Sequence, residues 1–508
     1  MRSLRTILMV CAVAAPGFIL HAQENHGRAW EDIETSRLMW AQSSNSAGIL
    51  FDAPADHNKL DTGYSHEAGD YRLMQSGSGV GEFHFHTYGF KKISKIQLWG
   101  SFRYENVSES GASFNTMLVN PYDERFLYSA ADSIPGQWKK QSYDMQFKAS
   151  MPVGKRLAAG IHVLYTDRIA ASQIDPRAES YNYSLELKPA LTWVSGIGKI
   201  GLSGTYSNTF ERSTPSISNT QEIQKVYLMR GLGNWVGDQI GGSGLSTMYF
   251  RCNTWGGALQ YALDSPTRIL AELSYCSDNT IITESATQPK PHGSTIRQNL
   301  CALGSATWGE SVRHSIKLNA NVVNTAGTES TSVWNKESGR WETVHTAGQV
   351  KLFTLETTVG WEAMVLDGES YTWRFNAEAG WEQKEDSYAL PYSVFRYGNV
   401  MAKAGAGRNI IIGKASLLTS ARLSYSKNVY GDYSYSGHRS GTAPVSQLYP
   451  HNLSILSSDR LLAGLDLEYA VPVHSGVNLA FYACGAYLVA RPILRNRWSA
   501  SGGIKLYF

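Results

Sequence analysis

A chain of 508 residues with 46 basic and 43 acidic side chains carries a formal charge of only +3, and no basic stretch stands out. This excludes the electrostatic footprint of a nucleic-acid-binding protein. The composition sets 28 Tyr, 14 Trp and 16 Phe beside 47 Gly, which is odd for a soluble α/β enzyme and suits a protein with one lipid-facing and one watery surface.

The chain opens Met1-Arg2-Ser3-Leu4-Arg5 and then runs apolar from Ile7 to Leu20. Two arginines before a short apolar run are the pattern of a secretory signal. Leu20-His21-Ala22 supplies the small residue for cleavage, so residues 1–22 are read as a signal peptide with Gln23 first in the mature chain. The run is too short to span a bilayer as a helix, which needs ~20 residues. Val10 precedes Cys11 where lipid attachment would want a small residue. Of the 46 basic residues, Arg2 and Arg5 leave with the signal, so 44 remain against 43 acidic.

Residues 23–68 show no alternation. They hold a predicted short helix around Trp30–Trp40, then Ser43-Ser44-Asn45-Ser46-Ala47-Gly48-Ile49-Leu50. Two readings stay open for this segment: a plug inside a barrel lumen, or a periplasmic tail that orders on contact with a partner.

From residue 69 to 508 the dominant signal has period two, the mark of strands whose two faces meet different surroundings. In Ile96–Tyr104 the even positions are mostly apolar and the odd ones mostly polar. The same holds for Tyr143–Met151, Tyr183–Trp193, Val312–Val322, Trp373–Trp381 and Leu461–Val471. Short links (Lys91–Lys95, Pro152–Arg156, Ser195–Gly198, Asp264–Thr267, Gly309–Ser311, Gly407–Gly413, Pro472–Gly476) alternate with longer polar ones (Asn106–Lys140, Asp167–Ser180, Asn208–Asn253, Asp278–Thr295, Asn324–Thr346, Lys384–Gly398, Lys427–Ser458). That is the rhythm of periplasmic turns and extracellular loops. Strands leaving a short turn end in Tyr104, Tyr165, Tyr206, Tyr275, Trp381, Tyr425 and Tyr487. Descending strands finish with Trp193, Trp308, Trp361 and Phe508. Two aromatic girdles at the membrane interfaces follow.

The final strand alternates Trp498, Ala500, Gly502, Ile504, Leu506 and Phe508 with Ser499, Ser501, Gly503, Lys505 and Tyr507. It resembles the terminal strand of Gram-negative outer-membrane barrels, which implies recognition by their assembly machinery through Trp498, Ile504, Leu506 and Phe508. The fold expected is all-β: a single transmembrane antiparallel up-and-down barrel of about 18 strands, within a range of about 14 to 18, with Tyr71–Met74 contributing the first. Such a barrel is wide enough to need a lining, a plug or a water channel.

The stretch Asn45-Ser46-Ala47 resembles the N-terminal hatch of the long-chain fatty-acid transporter family, which carries Asn-Pro-Ala there; Ser46 stands where that family has proline. The resemblance covers a few residues. It implies a lumen plug and leaves the ligand open.

Several constellations bear on chemistry. Glu82, His84 and His86 fall on one face of a predicted strand, with Phe83, Phe85 and Tyr88 assigned to the other. Imidazoles two apart on a strand can share a metal, but lumen-lining polar residues are the plainer reading, and His162 is the one further imidazole predicted to point inward from a strand. No cofactor is expected. A hairpin turn near Asp264–Ser265 sets Cys252 and Cys276 almost opposite, so a rim disulfide is allowed in an oxidising compartment, while Cys301 and Cys484 read as packing residues. Gly231-Leu232-Gly233 through Gly241-Gly242-Ser243-Gly244 lies outside any strand–turn–helix unit and is read as the longest extracellular loop, folding inward with Trp235 and Tyr249 as a constriction. No nucleophile–base set stands out, so an enzyme is not expected. The inward charges Arg103, Lys148, Glu186, Lys188, Glu272, Arg297, Lys317, Arg374, Glu378, Arg422, Asp466 and Glu468 mix both signs, as ion-pair ladders or as selectivity-setting groups.

The function expected is an outer-membrane channel, passive or gated, for small or amphipathic solutes. The alternative is a non-transporting accessory or anchoring barrel that serves another envelope protein. The partners expected are outer-membrane lipid and lipopolysaccharide, the assembly machinery and, on the second reading, another envelope protein; nucleic acid is not among them.

Overall fold

The computed structural model describes residues 27–219, 221, 225–240, 246–474 and 476–508. The signal-peptide reading and the glycines 241–244 lie outside the described residues. In chain order the strands are β1 (His57–Gly69), β2 (Gly79–Ile93), β3 (Ile96–Ala112), β4 (Ala130–Ala131), β5 (Gly136–Val153), β6 (Leu157–Ser172) and β7 (Arg177–Ser195). There follow β8 (Gly198–Ser216), β9 (Lys225–Gly231), β10 (Asn234–Ile240), β11 (Met248–Leu263), β12 (Arg268–Glu284), β13 (Lys290–Trp308) and β14 (Val312–Asn335). The last are β15 (Arg340–Asp367), β16 (Ser370–Tyr388), β17 (Ser393–Ile412), β18 (Ala415–Tyr435), β19 (Asp459–His474), β20 (Val477–Arg491) and β21 (Arg495–Tyr507).

Eighteen of these form one antiparallel sheet in which each strand pairs with its neighbour in sequence; β4, β9 and β10 make a separate small sheet. The sheet closes on itself because β21 pairs with β1, setting Ile504 opposite Thr62 and Trp498 opposite Ala68. Beyond the last paired strand residue, Asn58 N–H donates to the Phe508 carbonyl at 2.6 Å and Phe508 N–H returns the bond at 3.0 Å. Closure leaves no sheet edge, the condition for strands to cross hydrocarbon.

Period two decides which face meets lipid. Leu465, Trp255 and Leu202 are 65%, 61% and 60% exposed on the outside, while Asp466, Thr254 and Ser203, one step along, face in. The expected girdle residues Tyr165, Tyr275, Tyr425, Tyr487, Trp193 and Trp361 are exposed on that outer face. Cross-strand ring pairs join Tyr104 to Tyr143 and Tyr206 to Trp255 at 5.0 and 4.5 Å. Trp308, His314 and Trp361 stack in a row at the short-turn end, and Trp381 lies beside Tyr430.

Four expectations are corrected. The barrel starts at His57, earlier than residue 69, and its first strand is His57–Gly69 in place of Tyr71–Met74. Its outer face is weakly apolar (Leu60, Thr62, Tyr64, His66, Ala68), so the alternation barely registers. The link Asn324–Thr346 is mostly strand: β14 and β15 run 24 and 28 residues and turn through 336–339. Parts of Asp167–Ser180 and Asp278–Thr295 likewise continue their strands. A ladder still gains hydrogen bonds once it leaves the membrane, but its outer face no longer needs apolar residues. Tyr88 shares the lumen face of His86, 5.5 Å between rings, and does not lie with Phe83 and Phe85. Tyr249 sits on the outside of β11 against Phe210, so of the expected constriction pair only Trp235 turns inward and is buried.

The two faces predict opposite tolerances. Leu465→Arg, on the lipid face mid-strand, is expected to cost about 2–4 kcal/mol in reversible unfolding from lipid vesicles, whereas Asn319→Arg, on the watery face, stays within about 1 kcal/mol.

Candidate functional site

The lumen is built from inward side chains, from the N-terminal segment at the short-turn end and from three inward-folded connections at the other. The N-terminal segment contains the helix Arg28–Arg37, shorter than the Trp30–Trp40 expectation, and single turns at Trp40–Gln42, Ser46–Gly48 and Ile49–Asp52. Its hub is Asn45, fully buried. The Asn45 amide donates to the Leu191 carbonyl at 3.0 Å and to Gln260 Oε1 at 2.9 Å. Its Oδ1 accepts from Thr192 Oγ1 at 3.1 Å and from Gly48 N–H at 3.2 Å. Ser44 donates its backbone N–H to Glu272 Oε2 at 2.8 Å, and Ser150 Oγ donates to the Ala47 carbonyl at 2.9 Å.

Two glycines make this approach possible. A Cβ on Gly160 would lie 2.5 Å from Ala47 N, and one on Gly201 would lie 2.5 Å from Asn45 Nδ2. Around this hub the segment is pinned by charge. Asp32 meets Arg374 at 3.0 Å and Tyr371 Oη at 2.8 Å. Lys59 bonds Glu31 at 3.0 Å, Arg313 donates to the Ile33 carbonyl at 3.2 Å, and Arg268 donates to the Arg37 carbonyl at 2.6 Å. Arg28 reaches Glu468 at 3.8 Å. These residues sit on β1, β5, β6, β7, β8, β11, β12, β14, β16 and β19, so the segment is held from around the barrel.

Asp52 is the strained member. Burial pushes its carboxyl up to about 7, only partly offset by the Ala41 N–H at 3.0 Å and Arg268 at 3.6 Å.

At the long-loop end, residues 113–135, 217–247 and 436–458 supply the cover; of the second, residues 220, 222–224 and 241–245 lie outside the description. In the first, Glu124 crosses to Thr325 Oγ1 at 3.2 Å and to Lys384, and Val119 N–H donates to Glu211 Oε1 at 2.9 Å. In the second, the β9–β10 hairpin joins β4, and Trp235 lies under the Arg439 guanidinium at 4.1 Å. The third carries the helix Tyr449–Leu456, whose Tyr449 stacks on Tyr433 at 5.3 Å and whose Asn452 accepts from Met74 N–H at 3.0 Å. Phe114, Tyr227, Trp235 and Leu448 form one buried cluster where these connections meet.

Between the two closures the wall remains wet: Lys317, Asn319, Glu356, Lys403 and Arg422 are exposed though inward-facing. The inward charges picked out by alternation divide by height. Glu272, Arg374 and Glu468 hold the N-terminal segment. Glu186–Lys188 at 2.6 Å, Glu378–Lys403 at 2.7 Å and Arg422–Asp466 at 3.3 Å are wall pairs, as is Arg103 with Glu105 at 2.9 Å. Lys148 lies 4.9 Å from the Trp99 ring centre, and Lys317 lines a recess with Glu362 and Glu378. Arg297 pairs with Asp278 at 3.0 Å near the cover.

Glu82, His84 and His86 do not converge on a common point. His84 bonds Tyr482 Oη at 3.2 Å with Asp61 at 3.5 Å, and His86 faces Ser101 Oγ at 3.1 Å. His162 faces Gln146. Among the described residues no group of three His, Cys, Asp or Glu side chains could hold a metal ion. The disulfide expectation is corrected: Cys252 and Cys276 both face inward, but Cys252 stands opposite Thr280 and Cys276 opposite Gly256, four positions out of register, and both thiols are free. Cys301 and Cys484 are free as well.

Sequence reasoning did not find Gln260, Gly160, Gly201, Asp52, Arg268 or Tyr371. Tyr371 is turned inward by a bulge at Thr372, opposite the step from Val365 to Leu366, which the alternation cannot show. Asn45 carried a signal through its motif; the rest become partners only when distant strands meet.

A closed, even-stranded antiparallel barrel with an apolar outside and a polar, obstructed inside defines an outer-membrane β-barrel protein. Residues 46–508 match the model of a family of unknown function, DUF6850, and the chain belongs to that family. No curated protein matches the sequence. Among solved structures it is similar to BauA, the ferric preacinetobactin receptor of Acinetobacter baumannii (11% identity, TM-score 0.43, covering 90% of this chain and 80% of that one). It is also similar to the siderophore receptor PiuA of Acinetobacter baumannii (10%, 0.41, 89% and 82%) and the ferric yersiniabactin uptake receptor FyuA of Yersinia pestis (9%, 0.37, 88% and 80%). At this level of likeness nothing of those proteins' ligands passes to this chain.

Two predictions concern the N-terminal segment. Asn45→Ala leaves buried groups unpaired and is expected to weaken docking by about 1–3 kcal/mol for each orphaned partner, read as faster proteolysis of residues 27–56 while the barrel stays intact. For Asp52, a folded value above that of a free Asp (~3.9) means stability that is full below about pH 4 and is lost as pH rises through about 7. Glu31, also raised by burial, acts in the same direction. Amide protection of residues 28–52, corrected for intrinsic exchange, should fall between pH 5 and pH 8, and Asp52→Asn should flatten that fall.

Proposed function

We propose that the protein passes small or amphipathic solutes across the outer membrane through a lumen gated at both ends. The observation that carries this is the wet, charge-lined chamber between two closures made of separable pieces. The N-terminal segment docks through side-chain bonds and close packing on ten strands, with no strand added to the sheet, so it can shift without opening the barrel. The cover is three surface connections of the kind that commonly carry function. A passive open pore does not fit these two closures, so the gated form of the channel reading is the one supported. The N-terminal segment acts as the plug.

The same closures also suit an accessory barrel that offers its connections to another envelope protein, and conductance separates the two. In planar bilayers the intact protein is expected to be silent. Deletion of residues 27–54 together with shortening of 113–135 should give steady channels, and each change alone should give smaller or rarer openings. The deletion must stop before His57, because β1 begins there. Silence in the doubly altered, folded barrel would favour the accessory reading.

A further inference from the structure

Beneath the cover lies a cavity of about 430 Å³. Its walls are apolar and aromatic: Phe126 and Leu127 from the first connection, Leu232 from the hairpin tip, Tyr449 from the helix, and Leu352 and Phe395 from the inward faces of β15 and β17. At one pole this lining gives way to Lys384, Glu124 and Asp386. Lys384 bonds Glu124, and its Nζ lies 3.6 Å from Asp386 Oδ2. One ammonium therefore faces two carboxylates. Asp386 is only 7% exposed, and its Oδ1 is buried with no hydrogen-bond partner.

The neighbouring cations are committed elsewhere. Arg125 is closed on Asp123 at 2.7 Å, Arg230 donates to the His292 carbonyl at 3.2 Å, and Arg460 faces Glu382 at 3.5 Å. A buried carboxylate oxygen without a donor is costly, and an entering donor removes that cost. Phe126, Phe395, Tyr397 and Tyr449 line the same cavity, and aromatic faces favour a positive charge over a negative one. The volume lies in the range of small-molecule sites.

We infer that this cavity is a binding site for an amphipathic amine. The ammonium donates to Asp386 Oδ1, and an aliphatic or aromatic body fills the space among Leu127, Leu352 and Phe395. As a substrate assignment this rests on the transport reading; as a binding site it is tested without flux.

The probes are 4-phenylbutylamine, 4-phenylbutanol and 4-phenylbutyrate, which share a body and differ in head group. Each is titrated by calorimetry into the full-length protein in lipid nanodiscs. The amine is expected to bind at least about tenfold more tightly than the carboxylate, with the alcohol between, as charge-assisted hydrogen bonds outweigh neutral ones. Asp386→Asn should bring the three within about threefold of one another while the alcohol still binds. Leu352→Trp, which fills the cavity, should abolish binding of all three. Equal affinity for the three head groups in the native protein, no binding of the amine, or a preference that survives Asp386→Asn would each overturn the proposal. The head-group comparison in the native protein decides the matter even if a variant does not fold. Amine binding without conductance in the doubly opened barrel would leave the site standing and sink the transport reading; conductance without binding would do the reverse.

Discussion

Everything in this molecule depends on the need to pair every backbone N–H and C=O that enters hydrocarbon. A strand can do so only between two neighbours, so the sheet must close, and the closing pair is β1 with β21. The two termini of the sheet are far apart in sequence and adjacent in space. Once the ladder is closed, the side-chain period of two assigns every residue to lipid or lumen, with no third choice. Leu465 and Asp466, neighbours in the chain, thereby come to opposite solvents.

Closure creates a second problem. Eighteen strands enclose more space than their own inward side chains can fill, and the chain fills the two ends with different chemistry. The short-turn end is closed by buried polar geometry: Asn45 between the Leu191 carbonyl, Thr192 and Gln260, seated where Gly160 and Gly201 leave room. Charged pairs such as Asp32–Arg374 surround it. The long-loop end is closed by apolar and aromatic packing, with Trp235, Tyr227 and Leu448 in one cluster. Hydrogen-bonded networks specify position closely and lose much when one member goes. Apolar clusters tolerate rearrangement better. The two ends thus differ in kind, a closely specified N-terminal segment and an adaptable cover.

The chamber between them mixes charges of both signs, and most of the wall charges that alternation singled out are paired with a neighbour on the next strand or with the N-terminal segment. Such pairs in contact with water contribute little stability. Their consequence is a polar lining that keeps water in the middle of the barrel. Asp386 shares with Asp52, Asp61 and Asp175 a buried oxygen without a hydrogen-bond partner, and of these four it is the one that lines the cavity beneath the cover.

Residue patterning alone determined the fold class, an approximate strand number, the outward aromatics and the inward charges, because a membrane barrel writes its two solvents into alternate residues and the apolar face must be continuous. Where lipid does not press, the record fades: the weak outer face of β1 hid that strand, and the extensions of β14 and β15 above the membrane read as loop. Asn45 was legible through a short motif. Its partners Gln260 and Thr192 lie 215 and 147 positions away, and nothing local marks them. The same holds for Tyr371, turned inward by a bulge, and for Cys252 and Cys276, whose distance from pairing depends on a register set by the turn at 264–267. Alternation says which face a residue takes; only the closed barrel says which residues then meet across the lumen, because those encounters depend on register and strand order around the ring.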